Sequence, residues 1–268
     1  MNRRKIYITG GSSGIGLGLA RRYARRGCDV VLIARDAAKL DSAVNSCKAL
    51  RKSEDQEIEG VSVDITDYEN LHGSLKQILA RCGVPDLIIL SAGTAANASF
   101  LDTTAAAFDH VMNVNLVASR EVARATLPAM IERGRGQIAF VSSMAGCTGI
   151  YGYSAYSASK FAINGMAQAL SQELLATGVS VHVICPSEVS TPMIEQESRS
   201  VLPQTRFLKD LVGTMESDVV AAKIERGLSR GQRTIVPGFR ASLMTSLARC
   251  FPGVFAWCSA RLLHWKFG

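Results

Sequence analysis

In the segment Tyr156-Ser157-Ala158-Ser159-Lys160, a phenol and an ammonium stand four residues apart. On a helix those two positions share a face. A free phenol has a pKa of about 10, too high for easy proton exchange near neutrality. An ammonium a few ångströms away stabilises the phenolate and lowers that value, which is the requirement for general acid–base work. Upstream, Ser142 and Ser143 end an apolar run, where a hydroxyl could steady a developing negative charge. A second candidate is the stretch ITGGSSGIGLG, in which Gly10, Gly14 and Gly16 follow a short apolar strand and open a helix. Backbone N–H groups and the helix dipole can meet a pyrophosphate there, and glycine removes the Cβ that would hold the phosphate away.

Such groups must be positioned by a scaffold, and the chain alternates strand-like and helix-like segments. KIYIT precedes a helical stretch over 14–26, DVVLIA one over 36–52, and GVSVD one over 68–81. DLIIL precedes a long helical region over 105–132, GQIAFVS a helix over 154–176, and VSVHVIC closes the run. Short apolar strands alternating with longer helices predict a doubly wound parallel α/β sheet with helices on both faces. Its ligands sit at the carboxyl ends of the strands. Residues 192–214 read as a partly helical insertion, a lid, and TIVPG as the last strand. The chain has 268 residues, 47% of them hydrophobic, enough for one core without a second domain. The expected division is a domain over 1–238 and an extension over 239–268.

Seven cysteines at scattered positions, with no C-x-x-C pair, argue against a disulfide framework and a zinc site, and no metal is expected. They suit a reducing, cytoplasmic compartment. No secretory signal or spanning helix is expected. The net charge of +7 sits entirely in residues 226–268, which carry six arginines, one lysine and no acid.

Taken together, T-G-x-x-x-G-x-G and Y-S-A-S-K resemble the short-chain dehydrogenase/reductase family. So do Asp64 in VDIT, Ser91-Ala92-Gly93, Asn115 in NVN, VSSMAG over 141–146 and PSEVSTP over 186–192. The resemblance runs over about 4–237 and implies a single-domain Rossmann-type reductase. By that resemblance Tyr156 donates a proton to a carbonyl oxygen as hydride reaches carbon, and Ser143, chosen over Ser142 by its spacing to Tyr156, holds the oxygen. Lys160 also grips the nicotinamide ribose, and Asn115 anchors a water relay. The implied cofactor contacts come from Gly10, Ser12, Ser13, Gly14, Ile15 and Gly16 in the turn and from Arg35, Asp64 and Ile65 at the adenosine end. Ala92, Gly93, Pro186, Val189 and Thr191 complete them, with Tyr156 and Lys160. Tyr151 and Tyr153 are expected to line the pocket. Ser91 and Ser187 depart from the family's usual asparagine and glycine.

Ala34 stands where an acid would bind an adenine-ribose hydroxyl, and Arg35 can bond a 2′-phosphate, so the expected cofactor is NADPH/NADP. A solvated arginine beside a helix-capping Asp36 is the alternative. For Asp64, helix capping competes with adenine contact. Within the family, PSEVSTP and the segment over 141–170 resemble 3-ketodihydrosphingosine reductases. The implied reaction is NADPH-dependent reduction of a long-chain ketone, 3-ketodihydrosphingosine, to dihydrosphingosine, with Glu188 a candidate partner for the substrate amine. Another bulky carbonyl (a 3-oxoacyl thioester, a steroid or a retinal-like compound) and a non-catalytic NADP(H)-binding sensor are the alternatives.

The extension reads as two short amphipathic pieces separated at Pro252-Gly253, with Trp257 and Trp265 suited to an interface. Peripheral membrane contact and packing on the protein's own sheet or a partner subunit both fit. The family resemblance implies a homodimer or homotetramer through the helices over 105–132 and 154–176. No nucleic-acid recognition module accompanies the basic charge, and no nucleic-acid partner is expected.

Overall fold

The computed structural model describes residues 3–197 and 201–268. Part of the expected lid, 198–200, lies outside the described residues. Four strands run in chain order as β1 (Lys5–Thr9), β2 (Asp29–Ala34), β3 (Ile58–Ser62) and β4 (Leu87–Leu90). β5 (Gly136–Val141), β6 (Val179–Ile184), the short pieces β7 (Val189–Ser190) and β8 (Met215–Glu216), and β9 (Thr234–Ile235) follow. Seven strands form one parallel sheet in the order β3-β2-β1-β4-β5-β6-β9, while β7 and β8 pair separately. The order reverses between β1 and β4, so a crevice opens at their carboxyl ends.

Burial on both faces explains why the central strands β1, β2 and β4 are almost uninterrupted apolar runs. Successive side chains point to opposite faces. Ile6, Ile8, Val30 and Leu32 therefore enter one core with Leu19, Tyr23, Val220 and Ile224. Those partners come from α1 (Gly14–Arg25) and a later helix, Ser217–Ser229; α2 (Ala37–Lys48) covers the same face through Leu40 and Val44. Tyr7, Val31, Ile33 and Ile88 enter the other core. There they meet Leu71, Leu75 and Ile78 of α3 (Tyr68–Cys82), and Val122 of α5 (Ala118–Glu132), with Ile163 of α6 (Ser154–Glu173).

The third strand lies two residues earlier than GVSVD predicts. It is an edge strand paired only with β2, through Val30↔Ile58 to Ala34↔Ser62, and β2 ends at Ala34. Beyond Val63, whose N–H reaches the Ala34 carbonyl, Asp64 has no neighbour to pair with. The long helix over 105–132 is three segments: α4 (Ala105–Met112), a π-helical turn (Asn113–Val117) and α5. π turns are rare and concentrate at functional sites.

The expected lid contains α7 (Pro192–Glu197) and α8 (Pro203–Val212), and α9 (Ser217–Ser229) follows β8. The extension forms α10 (Phe239–Cys250) and α11 (Pro252–Phe267), with the break where Pro252 lacks the N–H needed to continue a helix. α10 buries Ala241, Thr245 and Ala248, whereas α11 buries no residue fully. The last turn of α11 still touches the body, since the Phe267 ring stands edge-on to Phe207 of α8 at 5.8 Å.

Candidate active site

One cleft at the carboxyl ends of the strands brings the two candidate groups together. Gly10, Ser13, Gly14 and Ile15 form one end of its wall, and Ser143, Tyr156 and Lys160 stand further along it. Ala92, Gly93, Pro186, Val189 and Thr191 lie between and around them. The other predicted contacts are not part of this wall: Ser12, Gly16, Arg35, Asp64 and Ile65 lie beyond it, and Asn115 is buried behind it.

The glycine turn is held to the sheet by Gly10, whose N–H donates to the Ile33 carbonyl at 2.8 Å. Gly14 has φ +52°, and a Cβ there would lie 2.9 Å from Cγ2 of Thr191. At Gly16 a Cβ would come within 2.3 Å of the Gly10 carbonyl oxygen, so the spacing lets α1 start against the turn. A dinucleotide fits the donors this leaves. Ser13 caps α1 without a side-chain hydrogen bond, and no acid stands in the first turn. First-turn N–H groups have no partner within a helix, so these remain for an anion.

At the adenosine end, the Arg35 guanidinium is 77% exposed, and its one ion pair among the described residues is with Asp64 at 3.5 Å. Most of its donors face solvent. Asp64 Oδ1 accepts from the Thr66 N–H and hydroxyl, at 2.9 and 2.7 Å, and those bonds hold its carboxyl below the usual range. The cap of α3 is Asp67, not Asp64.

At the other end, Lys160 is buried, donates to the Val141 carbonyl at 2.9 Å, and lies 5.5 Å from the Tyr156 ring centroid. Burial pulls its ammonium down to about 8. Lys160 by itself does not lower Tyr156. Burial raises its phenol, and the Ser143 hydroxyl pulls the other way by hydrogen bonding. The reason is geometric: Lys160 points its charge at a main-chain carbonyl, so desolvation dominates at the phenol. The two serines differ as well. Both reach the cleft wall, but Ser142 is buried and donates to the Lys160 carbonyl at 3.1 Å, while Ser143 is half-buried and accepts from the Ala145 N–H at 3.1 Å.

Asn115 sits in the π turn with its side chain fully used. Its Nδ2 donates to the Thr94 carbonyl and to Ser159 Oγ, both at 2.9 Å, and its Oδ1 accepts from the Thr94 N–H at 2.8 Å. This ties the loop after β4 to α6. A Cβ on Gly93 would lie 3.2 Å from Asn115 Oδ1, so glycine keeps that contact open. The two departures are accommodated. Ser91 and Ala92 donate their N–H groups to Thr9 Oγ1, and no non-glycine residue described has positive φ, so Ser187 needs no left-handed backbone.

Sequence reasoning placed Tyr153 and Glu188 at the pocket but missed the rest of the far wall. Tyr153 is buried with its ring 5.4 Å from that of Tyr156, and its hydroxyl accepts from Lys209 Nζ at 3.0 Å. Tyr151, by contrast, is exposed and is no part of the wall. Glu188 does not present a free carboxylate: Arg206, Lys209 and Thr214 hold it. The lid helix brings those cations in, which local sequence could not reveal. Glu197, 3.6 Å from Lys209, also lines the cleft; burial pushes its carboxyl up to about 7 and the Lys209 ammonium down to about 8. Met193, Ile194, Leu208 and Val212 make the rest of this end apolar. The only early signal was the spacing of Leu208 and Val212, one helical turn apart.

A nucleotide cradle and a Tyr–Lys–Ser group on one doubly wound sheet define an oxidoreductase. The short chain dehydrogenase family profile matches residues 4–201, and the chain belongs to that family. The chain is 36% identical to a 3-dehydrosphinganine reductase of Arabidopsis thaliana, over 90% of this chain and 73% of that protein. It is 32% identical to the 3-ketodihydrosphingosine reductase of Mus musculus, again over 90% of this chain and 73% of the relative. Among solved structures, a short-chain dehydrogenase from Sphingobium yanoikuyae in complex with NADPH superposes with a TM-score of 0.78 at 28% identity, covering 94% of this chain and 95% of that one.

Proposed function

We propose that the protein reduces 3-ketodihydrosphingosine to dihydrosphingosine with NADPH. The observation that carries this reading is the single cleft that joins a free-ended helix cradle to Ser143, Tyr156 and Lys160 and continues into an apolar end. The names of its relatives in plants and animals supply the substrate. Bound in the cleft, NADPH supplies the hydride. Ser143 holds the carbonyl oxygen, and Tyr156, a phenol that carries its proton at neutral pH, donates it to that oxygen. Lys160 holds the ribose hydroxyls and stabilises the phenolate left behind. The side-chain amide of Asn115 is committed, so the relay that reprotonates Tyr156 runs through its main-chain carbonyl in the π turn. Arg35 bonds the 2′-phosphate, with Asp64 and Ile65 against the adenine.

The apolar end suits an alkyl chain, and the Glu188–Lys209–Glu197 group suits the polar head beside the ketone. Another bulky ketone would share the apolar end but not that head. The test is NADPH oxidation with 3-ketodihydrosphingosine and identification of the lipid product, set against a 3-oxoacyl thioester under the same conditions. Equal turnover of the two would remove the substrate assignment, and no NADPH consumption with either would revive the sensor reading.

Two further features belong to this reading. Val254, Trp257, Arg261 and Trp265 form one stripe along α11, and the two tryptophans are 63% and 78% exposed. No helix among the described residues is long and apolar enough to cross a membrane. The stripe lies on an anionic bilayer surface and lets the ketone enter from lipid. The assembly is a homodimer or homotetramer through α4–α5 and α6, where Phe161 is exposed; light scattering of the purified protein reads it.

A further inference from the structure

Two cysteines far apart in sequence meet behind the catalytic serine. Cys147 follows the short 3-10 turn Met144–Gly146, and Cys185 follows the last residue of β6. Their sulfurs are 3.9 Å apart. The segments that carry them are already laced together, with Ser142 N–H donating to the Ile184 carbonyl at 2.8 Å and Met144 N–H to the Pro186 carbonyl at 2.9 Å. The two thiols are unequal. Cys147 is half-buried and can meet a small oxidant, whereas Cys185 is buried. A hydrogen bond from Cys185, the positive charge of Arg249 on α10, and a hydrogen bond from Asn164 Nδ2 at 3.7 Å favour the Cys147 thiolate and hold it at about 7. The same arrangement pushes Cys185 up. An accessible thiolate beside a second thiol is the arrangement of a redox-sensitive pair.

We propose that Cys147 and Cys185 form a reversible disulfide when the protein meets a peroxide, and that this bond slows turnover by displacing the turn that carries Ser143. The Cys147 thiolate attacks one oxygen of hydrogen peroxide, giving a sulfenic acid and releasing hydroxide. The Cys185 sulfur then attacks the sulfenyl sulfur, the S–S bond forms, and the hydroxyl departs as water with the Cys185 proton. Two thiols lose two electrons, and the peroxide is reduced to two waters. A disulfide spans about 2 Å between sulfurs, so the pair must close nearly half its present separation. Cys185 is anchored at the end of a central strand, so the movement falls on Cys147 and on the turn beginning at Ser143, whose hydroxyl accepts from Ala145 N–H.

The effect on turnover rests on the reductase reading, but bond formation does not, so the experiment reads them separately. In a full-length protein carrying Cys250→Ser and Cys258→Ser, which removes the exposed thiols, stoichiometric hydrogen peroxide is followed by alkylation, digestion and mass spectrometry. The expected result is a peptide pair linked through 147 and 185, two hydrogens lighter than the reduced pair. Ketone-dependent NADPH oxidation should fall on the order of tenfold or more and return with dithiothreitol. Adding Cys147→Ser, or separately Cys185→Ala, should abolish both the link and the peroxide sensitivity. Recovery of both thiols alkylated, or of Cys147 as sulfinic acid with Cys185 still alkylatable, overturns the disulfide. A quantitative link with unchanged turnover overturns its effect on the site.

Discussion

At Tyr156 burial raises the phenol while the Ser143 hydroxyl draws it back by hydrogen bonding. The phenol carries its proton at neutral pH, and the hydrogen bond that favours phenolate eases donation of that proton. Tyr156→Phe should lower kcat by about 10²–10⁴-fold while NADPH still binds, measured by steady-state kinetics and by fluorescence titration. Lys160 gives the pH dependence. Its pKa is lowered to about 8, so the ammonium is present below that value and lost as pH rises through it. The ketone-reduction rate should hold on the acid side and fall above about 8; a kcat/KM profile flat to pH 10 would contradict the role. Arg35 pairs with Asp64 at 3.5 Å and keeps an exposed guanidinium. Arg35→Asp should move cofactor preference toward NADH by about tenfold or more, roughly 1.4 kcal/mol, in paired NADPH and NADH titrations.

At the scale of elements, two helical glycines separate close approach from mere tolerance. Gly16 leaves no room between α1 and the turn, whereas a Cβ at Gly73, on the exposed face of α3, meets nothing within 4 Å. Gly16→Ala should destabilise by about 1–3 kcal/mol and weaken NADPH binding. Gly73→Ala should stabilise by about 0.5–1 kcal/mol through helix propensity alone. Urea unfolding of the two variants checks both signs. Helix and strand identities were legible where strands such as β1, β2 and β4 are nearly continuous apolar runs and helices such as α1 and α3 carry a 3.6-residue stripe. The π turn at Asn115 was not, since its cause is a long-range amide bridge to Thr94 and Ser159. The two-residue shift of β3 had the same kind of origin, the end of its only neighbour.

For the whole molecule, the extension divides into a helix that belongs to the body and a helix that lies on it. α10 buries three side chains and brings Arg249 toward Cys147, whereas α11 keeps its stripe exposed. A chain ending at Phe251 should therefore keep its melting temperature and reductase activity on a soluble ketone, while losing flotation with vesicles containing anionic lipid. Equal flotation of the two forms would remove the membrane role and favour packing on a partner. The sequence alone determined the sheet, the glycine cradle and the Tyr–Ser–Lys group, because those depend on local periodicity and on residue types at short spacing. What holds Glu188, and that Cys147 meets Cys185, were decided only by the tertiary structure. Those relations join residues from elements far apart in the chain, and only packing the helices onto the sheet sets their distances.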